Sequence, residues 1–318
     1  MKLFVTGAAG FIGSNYVRHV LATTDDELTV FDALTYAGNR ATLADVEGDP
    51  RFRFVQGDIR DRDAVARAMD GHDAVVHFAA ESHVDRSIVS PDAFVSTNCD
   101  GTNVLCDVAR RVGVERFLHI STDEVYGSIE EGSFHESDRL SPRSPYSASK
   151  AGSDLIALSY LTTYGLPVLV TRSSNNFGPY QYPEKVIPLF VTNLLDGRKV
   201  PLYGDGLNVR DWLYVEDNCA GVDLVLRRGE VGEIYNLGAG NEITNRELTE
   251  RILALCGAGE EMIDYVEDRL GHDRRYSIDC SKVAALGWKP ARELDEALAA
   301  TVAWYRDNEW WWRPLKQA

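Results

Sequence analysis

Short apolar runs recur along the first half of the chain. Each is closed by a small or acidic residue and followed by a segment of helical spacing. Leu3-Phe4-Val5 runs into Thr6-Gly7, Leu28-Thr29-Val30-Phe31 into Asp32, and Phe52-Arg53-Phe54-Val55 towards Gly57-Asp58. Ala74-Val75-Val76-His77-Phe78, Arg116-Phe117-Leu118-His119-Ile120 and Val168-Leu169-Val170 continue the series. Helical spacing is clearest over residues 11–22, 61–69, 93–112 and 146–164. Strands alternating with helices predict an α/β fold with a doubly wound parallel sheet.

Beyond Asn176 the pattern changes. Gly178-Pro179-Tyr180-Gln181-Tyr182-Pro183 reads as loop, 186–196 as a short helix, and Val200-Pro201-Leu202-Tyr203 as a short strand. Ile234-Tyr235-Asn236-Leu237 looks like a further sheet strand, and 244–256 and 294–305 like helices. We therefore expect a dinucleotide-binding domain over 1–178, joined by 215–240, and a smaller, interleaved substrate-binding lobe over 179–318. No repeat, low-complexity tract or long linker interrupts the chain.

Composition narrows the function. With 318 residues, 44% of them hydrophobic, the chain is long enough for two lobes. A formal net charge of -16 argues against general-surface binding to nucleic acid or anionic membrane. A phosphate ligand would need a local basic cluster. The five cysteines, Cys99, Cys106, Cys219, Cys256 and Cys280, are scattered and never spaced C-x-x-C, which reads as reduced thiols. His77 and His83 stand apart from other ligand types, so no metal site is expected. The chain opens directly on a strand and lacks an apolar stretch near the ~20 residues of a membrane span. The expectation is a cytoplasmic protein.

The first candidate site is Gly7-Ala8-Ala9-Gly10-Phe11-Ile12-Gly13, between the first strand and the first helix. Glycines there let a pyrophosphate approach the backbone and sit on the helix N-terminus. Asp32, closing the second strand, suits a ribose diol and repels a 2′-phosphate. NAD is thus favoured over NADP, in a Rossmann arrangement. Asp58 and Ile59 follow the third strand, where an adenine edge can be read. Ala79 and Ala80 follow the fourth, where small residues let a cofactor lie close.

A second constellation carries chemistry. Tyr146 and Lys150 share one helix face, and an ammonium beside a phenol favours the phenolate, a base for hydride chemistry at a carbinol. Ser121-Thr122-Asp123-Glu124 adds neighbouring carboxyls that a plain alcohol dehydrogenase does not need.

Together, Gly7 to Gly13, Ser121-Thr122-Asp123-Glu124-Val125-Tyr126-Gly127 and Tyr146 to Lys150 resemble the extended short-chain dehydrogenase/reductase superfamily. Within it, Ala79-Ala80-Glu81-Ser82-His83-Val84-Asp85-Arg86-Ser87 is similar to the dTDP-glucose 4,6-dehydratase family. So are Asn175-Asn176-Phe177-Gly178-Pro179-Tyr180-Gln181, Pro183-Glu184-Lys185, Pro201-Leu202-Tyr203-Gly204-Asp205-Gly206 and Arg269-Leu270-Gly271-His272-Asp273. The resemblance spans nearly the whole chain. It implies oxidation at C4 of dTDP-glucose, loss of water across C5 and C6, and reduction at C6 by the same NAD.

It also implies roles. Tyr146 takes the C4 hydroxyl proton, Lys150 holds Tyr146 ionised and bonds the nicotinamide ribose, so that both also belong to the NAD site, and Thr122 bonds the C4 oxygen. Glu124 removes the C5 proton, and Asp123 protonates the departing C6 hydroxyl. Ala33, Leu34, Thr35, Ala79, Ala80, Glu81, Ser82, His83, Thr97 and Asn176 should join Gly7, Gly10, Phe11, Ile12, Gly13 and Asp32 at NAD. His83, Thr122, Asn175, Lys185, Val186, Pro201, Tyr203, Arg210, Asn245, Asp268, Arg269, Leu270, Gly271 and His272 should line the nucleotide-sugar site. Lys185 and Arg210 suit a diphosphate, and Tyr203 a pyrimidine face. Leu270 departs from a usual proline, and Ser173-Ser174 from a cysteine-containing pair.

The same resemblance implies a homodimer through the helices at 93–112 and 146–164. Trp310-Trp311-Trp312 is too short for a membrane anchor and should pack on the body or at an interface. Two other readings stand beside the dehydratase: a UDP-sugar 4-epimerase or UDP-sugar dehydratase, and a non-catalytic NAD-binding scaffold or sensor. Epimerisation has no use for Asp123 and Glu124, and a scaffold has no use for the catalytic set.

Overall fold

The computed structural model describes residues 1–317. Strands β1 (Lys2–Thr6), β2 (Glu27–Asp32), β3 (Phe52–Gln56), β4 (Ala74–His77), β5 (Arg116–Thr122) and β6 (Val168–Ser173) alternate with helices. They are followed by β7 (Asn175–Phe177), β8 (Val200–Tyr203), β9 (Val209–Tyr214), β10 (Ile234–Leu237), β11 (Glu242–Thr244) and β12 (Ile263–Val266). The central sheet has the order β10-β6-β5-β4-β1-β2-β3, with every neighbouring pair parallel. The order reverses between β1 and β4, which opens a crevice at the carboxyl ends of these strands.

Every residue of β4 and β6 is buried, as strands covered by helices on both faces must be. Leu3, Val5, Val76, Leu118 and Leu169 face helices Phe11–Thr23 and Val215–Arg228. Their neighbours Phe4, Val75, Phe117 and Val168 face helices Arg62–Met69, Gly101–Val112 and Pro145–Tyr164. Successive strand residues point to opposite faces, so one sheet serves two cores.

The predicted helix at 93–112 is not one regular element. Helix Pro91–Phe94 widens into a π turn, Val95–Asp100, before Gly101–Val112 resumes α geometry. Within that turn the Asn98 side chain accepts from Glu81 N at 2.8 Å and donates to Glu81 O at 3.0 Å and to Ser149 Oγ at 2.8 Å. A single amide thus ties the loop after β4 to helix Pro145–Tyr164. That helix starts at a capping box between Ser144 and Ser147 and stops at Gly165, φ 73°.

A third core holds the smaller lobe. Phe177, Phe190, Trp212, Leu248, Leu298 and Trp312 bring together β7, β9 and helices Val186–Leu195, Asn245–Cys256, Leu294–Asp307 and Glu309–Gln317. β9 pairs with β7 and β11, and β8 pairs with β12. Trp311 and Trp312 are buried, their indoles donating to Thr42 Oγ1 at 3.1 Å and Tyr305 O at 2.7 Å. Among the described residues, no helix is long and apolar enough to cross a membrane.

Candidate active site

The crevice is a cleft of about 330 Å³ along the carboxyl edge of the sheet. Gly7 leaves β1 at φ 74°, and a Cβ on it would stand 2.5 Å from the backbone of Ala79. A Cβ on Gly13 would stand 2.6 Å from Ala8 Cα. Only glycine fits either place, and the turn leaves its backbone open to the cleft. Asp32 secures the turn, with Oδ2 accepting from Ala9 N at 2.9 Å and Oδ1 from Leu34 N at 2.8 Å. Its buried carboxyl is pushed up by desolvation, which those two bonds oppose. These features fit an NAD: a cradle closed to side chains, and a carboxylate with acceptor capacity left for a diol.

The cleft wall contains Gly7, Gly10, Phe11, Ile12, Gly13, Asp32, Ala33, Thr35, Asp58, Ile59, Ala79, Ala80, Glu81, Ser82 and Thr97, together with Tyr146 and Lys150. Leu34, His83 and Asn176 stand next to this wall in sequence but do not line it. Leu34, at φ 55°, packs its side chain against the core. His83 caps helix Val84–Val89, its Nδ1 accepting from Arg86 N at 3.3 Å. Asn176 turns back to donate to Ser174 O at 3.0 Å. Asp58 lines the wall, but its carboxylate is held by Arg60 at 2.5 Å, which keeps it below the usual range.

At the end of β5 the chain turns into a short 3-10 helix, Asp123–Val125, capped by Thr122, whose Oγ1 accepts from Glu124 N at 3.3 Å. The same hydroxyl donates to Asp123 Oδ1 at 3.3 Å. Asp123 is 3% exposed, and its Oδ2 has no hydrogen-bond partner among the described residues. Burial, then the charges of Glu124 and Asp211, push its carboxyl well above the usual range. Burial also raises Glu124, but Arg269, Lys185 and Arg210 oppose the rise.

Tyr146 and Lys150 stand together on the cleft wall. Lys150 donates to Ile120 O at 2.7 Å, and burial lowers its ammonium to about 8, against the pull of Asp154. The Tyr146 phenol is pushed up rather than down, first by burial and then by the Glu124 charge. The Thr122 hydroxyl opposes that rise by hydrogen bonding to it.

The residues expected at the nucleotide sugar gather in two groups. Lys185 is half-buried, donates to Ser82 O at 2.8 Å and also lines the dinucleotide cleft. Arg210 is fixed over the Tyr276 ring at 4.0 Å and donates to Val209 O and Asp273 O. Arg269 Nε and Asn175 Oδ1 are buried without hydrogen-bond partners among the described residues. Lys185, Arg210 and Arg269 form a positive cluster around Glu124 inside an acidic chain.

The other group stands around β8. Pro201 and Tyr203 pair with β12, and Tyr203 meets His272 edge to face at 6.3 Å. His272 Nδ1 is 2.6 Å from Asp268 Oδ1, Gly271 turns at φ 67°, and Leu270 is 79% exposed. Val186 and Asn245 are the first residues of their helices.

Sequence reasoning missed Tyr36, Arg60, Gln181, Tyr182 and Glu184 on the cleft wall, and Asn98 behind it. Tyr36 and Arg60 lie in the loops that follow Asp32 and Asp58, so following each loop further would have reached them. Asn98 left no trace, because a π turn has no distinct apolar period.

Over residues 4–301 the sequence matches the family described as GDP-mannose 4,6 dehydratase. A dTDP-glucose 4,6-dehydratase of Streptomyces antibioticus is 59% identical over 324 residues, covering 100% of this chain and 96% of that protein. The structure of DesIV, a dTDP-glucose 4,6-dehydratase from Streptomyces venezuelae solved with NAD and dTDP bound, superposes with a TM-score of 0.98. It is 57% identical and covers 99% of this chain and 100% of its own. A dTDP-glucose 4,6-dehydratase from Bacillus anthracis in complex with NAD superposes with a TM-score of 0.93 at 47% identity, covering 99% of each chain.

Proposed function

The chain belongs to the GDP-mannose 4,6 dehydratase family, and we propose how its residues divide the work of its reaction. That reaction converts dTDP-α-D-glucose to dTDP-4-keto-6-deoxy-D-glucose and water, using NAD. The chemistry NAD supplies when bound is hydride storage: C4 gives up a hydride and C6 receives one within a single turnover.

Tyr146, which the Lys150 ammonium and the positive charge of bound NAD would ionise against the effect of burial, takes the C4 hydroxyl proton while Thr122 bonds the C4 oxygen. Lys150 presents its ammonium from the floor of the cleft, where Ile120 O anchors it. The resulting 4-ketone acidifies the C5 hydrogen, and Glu124 removes it. Asp123 gives its proton to the C6 hydroxyl, which leaves as water. Glu124 then returns its proton to C5. At the end Tyr146 holds one proton too many and Asp123 one too few. Thr122, which donates to Asp123 and lies within reach of the phenol, is placed to pass it across. Lys185, Arg210 and Arg269 neutralise the diphosphate, and Tyr203 stacks on the pyrimidine.

The observation that carries this reading is the buried Asp123 next to the half-buried Glu124 beside Tyr146, with unlike surroundings for the two carboxyls. A 4-epimerase has no use for either. Incubation with dTDP-glucose tests the reading: a 4-keto-6-deoxy product, which absorbs in alkali, supports it, and a dTDP-galactose product overturns it.

The dinucleotide-binding domain comprises 1–178 with 215–240, and 179–318 supplies the remainder of the substrate lobe. The placement of β10 in the main sheet supports that division. The protein acts as a homodimer through the helices at 93–112 and 146–164. The exposure of Val95 and Leu155 on them, 52% and 61%, supports this, and sedimentation at micromolar concentration tests it. Five unpaired cysteines support a reducing, cytoplasmic setting.

A further inference from the structure

Three side chains at the rim of the cleft have no part in the proton transfers. Tyr36 stands on the loop after β2, Arg86 in helix Val84–Val89, and Glu184 on the segment that leads into helix Val186–Leu195. The Arg86 guanidinium carbon lies 3.8 Å from the centre of the Tyr36 ring, and its Nε donates to Glu184 Oε2 at 3.2 Å. Tyr36 meets Tyr182 edge to face at 5.7 Å. Tyr36, Tyr182 and Glu184 line the cleft, whereas the Arg86 side chain is 49% exposed. The cation therefore spans the rim from outside, joining a cofactor loop to a segment of the other lobe. Aromatic face and carboxylate are the two partners a guanidinium binds best.

The chemistry explains why such a link is needed. A carrier that is reduced and reoxidised in one turnover must not leave while reduced, since the sugar would then be stranded as an unsaturated ketone. This rests on the dehydratase reading above. We propose that Tyr36, Arg86 and Glu184 form a clasp between the lobes that retains the dinucleotide from oxidation at C4 to reduction at C6. The Tyr36 hydroxyl is buried facing the Glu184 carboxylate with no well-formed hydrogen bond among the described residues, and it is the Tyr36 ring that lies against the Arg86 guanidinium.

The test measures the dissociation rate of NAD itself and the NADH freed into solution per product formed. Arg86→Met and Tyr36→Leu are expected to speed dissociation about tenfold and to release NADH, and Glu184→Gln to act in the same direction. Tyr36→Phe, which keeps the ring beneath the guanidinium, should keep the wild-type dissociation rate. An unchanged rate in folded Arg86→Met overturns the clasp. So does equal loosening by Tyr36→Phe and Tyr36→Leu, which would make the hydroxyl a direct ligand. Dissociation is read without substrate. A wild-type protein that fails to dehydrate dTDP-glucose would therefore remove the functional reading and leave the retention result standing.

Discussion

Asp123 and Glu124 are adjacent in the chain, yet their carboxyls keep different company: Glu124 and Asp211 push Asp123 up with Arg210 alone among the cations opposing, whereas Arg269, Lys185 and Arg210 together oppose the rise of Glu124. A tight 3-10 turn after β5 sends consecutive side chains in different directions. One carboxyl enters a dry, anionic corner and keeps its proton. The other enters a cationic one and gives its proton up more readily. Acid and base are thereby separated with no residue between them.

Glu124→Gln should abolish uptake of solvent deuterium at C5 and slow dehydration by at least about 100-fold. NAD affinity, measured by titration, should stay within about twofold. A variant that exchanges C5 at the wild-type rate would exclude Glu124 as the base.

Asp123→Asn should slow water loss by about 100-fold while leaving C4 oxidation intact, seen as transient NADH absorbance after mixing. It should also change the pH dependence of stability. The folded pKa of Asp123 lies above its unfolded value, so the folded state binds the extra proton between the two. Stability conferred by this group is present below the unfolded value, about pH 4, and is lost as pH rises through the window. The Tm of Asp123→Asn relative to wild type should therefore increase from about pH 4 upward.

Lys150 titrates near 8, below the ordinary lysine range. Between that value and about 10.4 the unfolded chain binds more protons than the folded one, so wild-type stability rises with pH across the window. Lys150→Met lacks this response. Its Tm relative to wild type should be most favourable at pH 7, where the buried charge costs on the order of 3 kcal/mol, and that advantage should vanish by pH 10. Its activity should fall at least about 100-fold at every pH.

Gly7→Ala and Gly71→Ala isolate the meaning of one cradle. Both glycines have φ 74°, but a Cβ on Gly71 meets nothing within 4 Å, whereas one on Gly7 strikes the Ala79 backbone. Gly71→Ala should cost only the left-handed backbone, about 1 kcal/mol. Gly7→Ala should cost more and weaken NAD binding about tenfold or further, because β1 and β4 must part. Equal losses of Tm and equal NAD affinities would contradict this.

The sequence made the sheet legible where strands are buried on both faces. β1, β2, β4, β5, β6 and β10 are largely buried, mainly apolar runs, and the edge strand β3 showed only by its short Phe52-Arg53-Phe54-Val55 pattern. The sequence concealed β7, β11 and β12, which are short and carry polar residues such as Asn175 and Asp264, and β9, where Arg210 and Asp211 interrupt the apolar run. Helix Val215–Arg228 begins at Tyr214 without a side-chain cap, so nothing marked its start. In the site, motif residues on the sheet edge fall together because strand ends are fixed by register. Titration was not legible, because the phenol of Tyr146 responds to burial and to Glu124, neither of which shows in the Tyr-Lys spacing.

The position of β10 has a consequence for biosynthesis. β6 lies between β5 and β10, and all of its residues are buried in the finished protein. The chain makes β7, β8 and β9 before it reaches Ile234. Throughout that interval on the ribosome, β6 has an open, apolar edge that any other strand can join. The nascent chain is thus most prone to aggregate while residues 174–233 are being synthesised, and the arrival of four residues, Ile234–Leu237, closes the edge.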